Sequence, residues 1–144
     1  MEKPREILIG DLVESGKASV QTGPFGTELK ANEYVDDGVP VINVRNIGYG
    51  TLREGDLEYI DDKKADELSN HILKKGDLVF GRKGSVDRHV LIGKDQEGWI
   101  QGSDCIRLRV DSAEIDNRFL SYSFMRDRHK RWMEAQGSHG ATMA

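Results

Sequence analysis

The chain has 144 residues, of which 37% are hydrophobic and 32% charged, and its formal net charge is -4. This balance is typical of one soluble globular domain with a hydrophobic core, and it excludes a disordered chain. No apolar run approaches the roughly 18 residues of a membrane helix, and a single cysteine excludes an internal disulfide. We therefore expect a cytoplasmic protein that does not associate with membranes.

The first half of the chain predicts a turn, two strands and a helix. The sequence GPFG, residues 23–26, favours a turn inside a polar, glycine-rich stretch. The β-rich runs VPVINV (39–44) and LEYI (57–60) favour short strands. The apolar spacing in KKADELSNHIL (63–73) predicts a helix, which Gly76 ends.

Strand signals cluster in the second half. Glycines and charged turns separate four short β-rich runs, namely DLVF (77–80), HVLIG (89–93), GWIQG (98–102) and CIRLRV (105–110). The last run alternates, with Ile106, Leu108 and Val110 on one face and Arg107 and Arg109 on the other. A second helix is expected near Asp116, whose side chain can cap it. The pattern predicts a single α+β domain over residues 1–144, with a curved, mostly antiparallel or mixed sheet and a few helices.

The sequence carries no motif of a familiar catalytic site. It has no P-loop, no HExxH and no strand–GxGxxG–helix fingerprint, and its four histidines show no metal-ligand spacing. Cys105 is expected to be a small core residue. These residues therefore give no signal for the enzyme classes named above, and we expect no cofactor and no metal. One alternative stays open, because Asp61-Asp62-Lys63 has the D-x-K pattern of a metal-dependent nuclease, although acids at a helix start explain the same residues.

Charge is distributed unevenly along the chain. Segment 74–90 has five basic and two acidic residues, and segment 126–131 has four basic residues and one acid, so each carries +3. Segment 54–67 has seven acids and two lysines, which gives -5. Each run is explained either by a solvated face or by a binding surface. The basic residues of GRKGSVDRHV (81–90) surround two glycines, which allow a backbone to approach a ligand closely.

The order of motifs along the chain resembles a known family, the target recognition domains in specificity subunits of type I restriction–modification systems. The similarity extends from about residue 7 to residue 143. In the first half it is carried by IGDLVESG, TGPFGTELKANEY and GVPVINVRNIGYG, and in the second half by LKKGDLVFGRKGSVDR, GSDCIRLRV and GATM.

The resemblance implies a DNA-binding module without a catalytic site of its own. Family members carry two recognition domains, each of which contacts one half of a split site in double-stranded DNA. A long helix follows each domain, and the two helices form a spacer that docks the modification (methyltransferase) subunits of a complex that also holds the restriction subunit. This sequence has one such domain, without the spacer helix or the second domain. We expect an isolated domain or a truncated chain, for which docking and oligomeric state stay open.

Chemistry suggests which residues would contact DNA. Lysine and arginine bind phosphates, whereas arginine, asparagine and glutamine pair with base edges. The first candidates lie in the basic loop: Arg82, Lys83, Ser85 and Arg88. Further candidates flank the predicted strands and turns: Arg45, Asn46, Gln101, Ser103, Lys30 and Gln21. Asn46 is explained equally well as a residue that satisfies backbone groups in its own turn. The acidic segment 54–67 is expected to lie away from the DNA face.

A PUA-like β-barrel that binds RNA or a modified base is a further alternative, because the run GDLVF in this sequence is similar to an element of such domains. A base pocket of that kind needs an aromatic stack. Aromatic residues near the basic loop are few, and Phe80 and Trp99 are expected in the core.

Overall fold

Seven strands and two α-helices form within the part of the chain that the structure describes. The computed structural model describes residues 13–26, 28–81, 88–111 and 116–125. In chain order the elements are β1 (Ala18–Thr22), β2 (Val39–Ile42), β3 (Glu58–Ile60), α1 (Asp62–Glu67), β4 (Leu78–Gly81), β5 (His89–Leu91), β6 (Ile100–Gln101), β7 (Cys105–Val110) and α2 (Asn117–Met125). The predicted α+β class is confirmed.

The strands form two open sheets. The larger has the order β1-β7-β4-β5, and all its neighbours are antiparallel. The smaller has the order β3-β2-β6, in which β2 is antiparallel to β3 and parallel to β6. The predicted mixed, mostly antiparallel pairing is therefore confirmed, and the described sheets do not close into the barrel of the PUA-like alternative. Neither described helix has the length and apolar character needed to cross a membrane.

Strand β7 alternates as the sequence predicted. Leu108 and Val110 are buried in one core cluster, on which Leu120 of α2 packs. Cys105 is fully buried in a second cluster, together with residues of β2, β4 and β5. Burial raises the pKa of the Cys105 thiol to about 12, so the residue is an inert part of the core, as expected.

The predicted helix over 63–73 is shorter than its apolar spacing suggested. Helix α1 ends at Glu67, because Leu68 leaves helical geometry at φ -98° and ψ 34°, and a 3-10 turn follows at Ser69–His71. Asp61 caps the helix start, where its Oδ1 accepts a hydrogen bond from the Lys64 backbone N–H at 2.7 Å. The helix-start explanation of Asp61 is therefore the one observed.

Strand β1 was not predicted, and its existence depends on its partner. Its sequence ASVQT is largely polar, and only Ala18 is buried. The strand forms because all five residues pair in register with β7, from Ala18 opposite Val110 to Thr22 opposite Ile106. Pairing with an established neighbour decides the conformation of such a weakly patterned segment.

A buried carboxylate anchors the entry to β4. Asp77 is 1% exposed, and its two oxygens accept hydrogen bonds from Nε and Nη2 of Arg109, both at 2.8 Å. Asp77 Oδ2 also accepts from the Lys74 backbone N–H at 2.8 Å. Asp77 therefore shapes the entry to this strand.

We expect Asp77→Ala to lower the free energy of unfolding by about 3 kcal/mol, because the change leaves the Arg109 guanidinium in a partly buried site without its counter-charge. Equilibrium unfolding in urea measures the loss. The exposed Asp95 makes no ion pair with the described residues, so Asp95→Ala is the matched control and should change stability by less than about 0.5 kcal/mol. Equal losses in the two variants would contradict the anchoring role.

Candidate nucleic-acid interface

Three of the motif segments meet at a close backbone contact. The Gly23 N–H donates to the Cys105 carbonyl oxygen at 2.9 Å, and the Gly102 N–H donates to the Ile42 carbonyl oxygen at 2.8 Å. A Cβ at Gly23 would overlap the Gly102 carbonyl, and a Cβ at Gly102 would lie 2.5 Å from Asn43 Oδ1. The two glycines are required because the chains approach too closely for a side chain. We call this junction of Gly23, Gly102 and Asn43 the glycine contact.

The surface next to the glycine contact carries two of the predicted DNA-contacting residues. Ser103 follows Gly102 and is partly exposed, and Gln21 lies at the end of β1, partly buried, where its Nε2 donates to the Thr22 carbonyl oxygen at 3.1 Å. Phe25, in the predicted turn, is 62% exposed. Lys30 is also exposed, beside the 3-10 turn at Ala31–Glu33. These side chains are accessible to a large ligand in different degrees.

Gln101 was predicted to contact a base, but the structure places it in the interior. Its exposed fraction is 0%. Its Nε2 donates to the Gln21 carbonyl oxygen at 2.7 Å and to the Cys105 carbonyl oxygen at 3.0 Å. The amide therefore ties β6 to the ends of β1 and β7, a structural role that replaces the predicted base contact, since a fully buried amide presents no donor to a DNA groove.

Asn46 is buried as well, and of its two predicted roles the backbone role is the one observed. Its Oδ1 accepts from the Asn43 N–H at 2.9 Å, and its Nδ2 donates to the Arg53 carbonyl oxygen at 3.0 Å. Its own carbonyl oxygen accepts from the Arg53 N–H at 2.7 Å. Asn46 thus closes the base of a loop over residues 46–53, within which Ile47 pairs with Leu52.

Arg45 is exposed, as a DNA-contacting residue must be, but protein acceptors already occupy its guanidinium. Its Nε and Nη2 donate to the Asp56 carbonyl oxygen at 3.2 and 3.0 Å, and Nη2 forms an ion pair with Glu58. The acidic segment 54–67, which was expected away from the DNA face, therefore contacts the candidate Arg45 through Asp56 and Glu58. The cause is the pairing of β3 with β2, which brings Glu58 opposite Val41.

Arg88 is the residue of the predicted basic loop that the structure describes, whereas Arg82, Lys83 and Ser85 lie outside the described residues. The Arg88 guanidinium carbon lies 5.8 Å from the centre of the Tyr49 ring, which is a cation–π distance. Arg88 is partly buried, and its Nε is buried without a hydrogen-bond partner among the described residues.

The 46–53 loop packs against the start of β5 through its backbone. The His89 N–H donates to the Gly48 carbonyl oxygen at 3.0 Å, and the Gly50 N–H donates to the His89 carbonyl oxygen at 2.8 Å. Gly50 has φ +75°, a conformation that favours glycine. The His89 ring is buried, and its Nε2 lies 2.9 Å from Ser121 Oγ of α2. This arrangement fixes the loop beside Arg88.

Sequence reasoning missed two residues of this surface, Tyr49 and Arg53. Tyr49 is 42% exposed. Arg53 is exposed, and its Nε lies 3.7 Å from the position that a Cβ at Gly48 would occupy. The segment GYGTLR combines an aromatic and a basic residue around two glycines, which is the signal that was available. We call Tyr49, Arg53 and Arg88 together the Tyr49 surface.

The described residues offer no cluster for metal chemistry. No group of three or more histidine, cysteine, aspartate or glutamate side chains in these parts of the chain is arranged to hold a metal ion. Asp61, the residue on which the nuclease alternative rests, is engaged as the cap of α1.

The fold is an α+β unit of two open sheets. Close glycine contacts join its segments, and an aromatic residue and arginines lie together at its surface. No family model matches the chain. A search of solved structures finds this fold in the S subunit of a type I restriction–modification system from M. genitalium, with a TM-score of 0.57 and 18% identity over 92% of this chain and 29% of that one.

A curated protein shows the same likeness in sequence. The chain is 23% identical over 120 residues to the specificity subunit of the type I restriction enzyme MjaVIII from Methanocaldococcus jannaschii. The alignment covers 78% of this chain and 27% of the relative, so the chain spans about a quarter of that protein's length. The resemblance to specificity subunits that the motifs indicated is therefore confirmed.

We expect Gly23→Ala to destabilise the fold by about 1–3 kcal/mol, because the added methyl group overlaps backbone atoms of Gly102 that cannot rotate away. Gly26, in the same turn, has nothing within 4 Å of its Cβ position, which makes Gly26→Ala the matched control. Urea unfolding of both variants measures the difference. If the two substitutions cost the same, the glycine contact is not a structural constraint.

Proposed function

We propose that the chain is a double-stranded DNA recognition module that contacts one half of a bipartite site in a type I restriction–modification complex. The observation that carries the proposal is the sequence similarity to a specificity subunit, which extends over 120 residues. The fold likeness over 92% of the chain supports it.

The proposed contacts follow from accessibility and charge. Arg88, a member of the Tyr49 surface, lies at the described end of the basic loop, over the Tyr49 ring. Arg82 and Lys83 belong to the same loop in sequence and supply two more positive charges for phosphates, and Ser85 supplies a hydroxyl. Among the other candidates, Ser103, Gln21 and Lys30 keep exposed surface, whereas Arg45 must first exchange its contacts with Asp56 and Glu58.

The proposed partners are those of a specificity subunit. The module would direct a modification subunit and a restriction subunit to the site, in the cytoplasm, while those subunits perform the chemistry. We propose no catalytic residue, metal or cofactor for this chain. Its contribution is binding energy and sequence discrimination, which arise from phosphate contacts and base contacts respectively.

Selection of bound duplexes from a random pool tests the proposal. The 144-residue chain is used alone and with a modification subunit, at low and moderate salt. We expect enrichment of a short motif of about 3–5 base pairs, because one module of this size contacts a limited length of groove. Salt-sensitive binding without enrichment would restrict the chain to phosphate contacts, and the absence of binding in both formats would overturn the proposal.

We expect the combined substitution of Arg82, Lys83 and Arg88 by alanine to weaken binding and flatten its salt dependence. Each lost phosphate contact lowers the slope of log K against log salt by about 0.9. Fluorescence anisotropy with a selected duplex at several salt concentrations measures both quantities.

A triple alanine variant of Lys17, Lys63 and Lys94 removes the same charge from exposed positions outside segment 74–90 and is the control. A position-independent charge effect would weaken both triple variants equally, and that result would contradict the assignment of the basic loop to the DNA face.

A further inference from the structure

We infer that Arg88, held in position by the Tyr49 ring, contacts a guanine and sets the base preference at one position of the site, while Arg53 contacts the DNA backbone. The inference rests on the proposed DNA-binding function and deepens it. It adds two residues, Tyr49 and Arg53, and assigns separate roles to the three members of the Tyr49 surface.

The other four arginines that the structure describes each contact a protein acceptor or carboxylate, although Nε of Arg107, like that of Arg88, is buried without a hydrogen-bond partner. Arg107 donates to the Asn70 carbonyl oxygen at 3.2 Å, and Arg109 donates to Asp77 and to Ile72. Arg45 is held by Asp56 and Glu58 as described, and Arg118 lies 3.8 Å from the Asp116 carboxylate. Carboxylates therefore face Arg45, Arg109 and Arg118, and Arg107 is buried, which reduces what these four side chains can offer to DNA.

Arg53 and Arg88 differ from these four. Within the described parts of the chain, neither guanidinium forms a hydrogen bond or an ion pair with a protein group, and the contact of Arg88 is with an aromatic ring. Two arginines on the 46–53 loop and the segment packed against it keep their donors, so they mark a place where an anionic or hydrogen-bonding ligand can bind.

The Tyr49 ring orients Arg88 without consuming donors. A ring attracts a guanidinium through its face, whereas all five N–H groups of the guanidinium lie in its own plane. Because Nε of Arg88 is buried, its N–H points away from solvent, and the two terminal nitrogens retain four N–H groups. Two parallel donors of this kind match the N7 and O6 acceptors of guanine in the major groove.

The position of the ring is fixed by backbone bonds instead of flexible side chains. Asn46 closes the base of the loop by accepting from and donating to Arg53. Gly48 and Gly50 bond to both backbone groups of His89, the residue next to Arg88. The ring and the guanidinium thus sit on adjacent, rigidly joined segments, which lowers the entropy lost when Arg88 is ordered on DNA.

Arg53 is suited to a backbone contact. It is exposed at the foot of the same loop and has no aromatic or acidic group to fix its direction among the described residues. A mobile cation adds electrostatic attraction but little geometric selectivity. Charge at Arg53 should therefore affect affinity and salt dependence, and not the base preference.

The test is duplex selection followed by binding measurements with the 144-residue chain and five variants. Arg88→Lys keeps the charge but removes the two-pronged donor, so we expect the preference for one guanine to fall by about 5- to 150-fold with an unchanged salt slope. Tyr49→Leu should lower the same preference at the same position, and Tyr49→Phe, which keeps the ring, should retain it.

Arg53→Ala should lower the salt slope by about 0.9 with the motif unchanged, and Arg53→Lys should behave as the unaltered chain.

Two outcomes separate this inference from the proposed function. If the unaltered chain selects a motif and both Arg88→Lys and Tyr49→Leu leave that motif unchanged, the inference is overturned and the proposed function stands. If the unaltered chain binds no DNA, both are overturned. A general loss of folding in Tyr49→Leu, monitored by thermal unfolding, leaves the decision to Arg88→Lys, whose side chain makes no described hydrogen bond that the fold requires.

Discussion

The polar face of β7 is the constraint on which the two sheets depend. Arg109 binds the buried Asp77 through two hydrogen bonds and donates a third to the Ile72 carbonyl oxygen, and Arg107 donates to Asn70. Ile72 in turn pairs with Ile100 in the smaller sheet. Two arginines of one strand thereby hold the segment between α1 and β4, which joins the sheets. The Asp77 carboxylate stabilises this arrangement because its charge is compensated at the point where it is buried.

The starts of β7 and β5 position two of the exposed loops. At the start of β7, Cys105 binds the Gly23 turn and Gly102 binds the end of β2 through backbone hydrogen bonds. The backbones meet there without side chains between them. At the start of β5, His89 receives the 46–53 loop. Loops that are fixed by backbone hydrogen bonds to a rigid sheet can vary their exposed side chains without loss of the fold. The scaffold and the proposed DNA-contacting residues are therefore separable.

The sequence predicted those parts of the fold that carry their own pattern. The alternation of 105–110 identified both faces of β7, and Asp116 identified the start of α2. Strand β1 has no such pattern, and only its register with β7 makes it a strand. The site was predicted less well, because Gln101 and Asn46 have the chemistry of base-contacting residues but are buried by packing between distant segments. Exposure is a property of the tertiary structure, and residue type does not determine it.

The net charge of the chain does not predict the charge of the candidate surface, because ion pairs are distributed unevenly among the arginines. The chain has more acidic than basic residues. Its carboxylates nevertheless pair with only some of the described arginines. Glu58 forms an ion pair with Arg45, and Asp77 forms one with Arg109, whereas Arg53 and Arg88 have no carboxylate partner among the described residues. A ligand with dense negative charge responds to the local potential at a surface, which falls off within about 8 Å in physiological salt. An acidic protein can therefore present a cationic surface, provided that its acids neutralise the arginines that the fold itself uses.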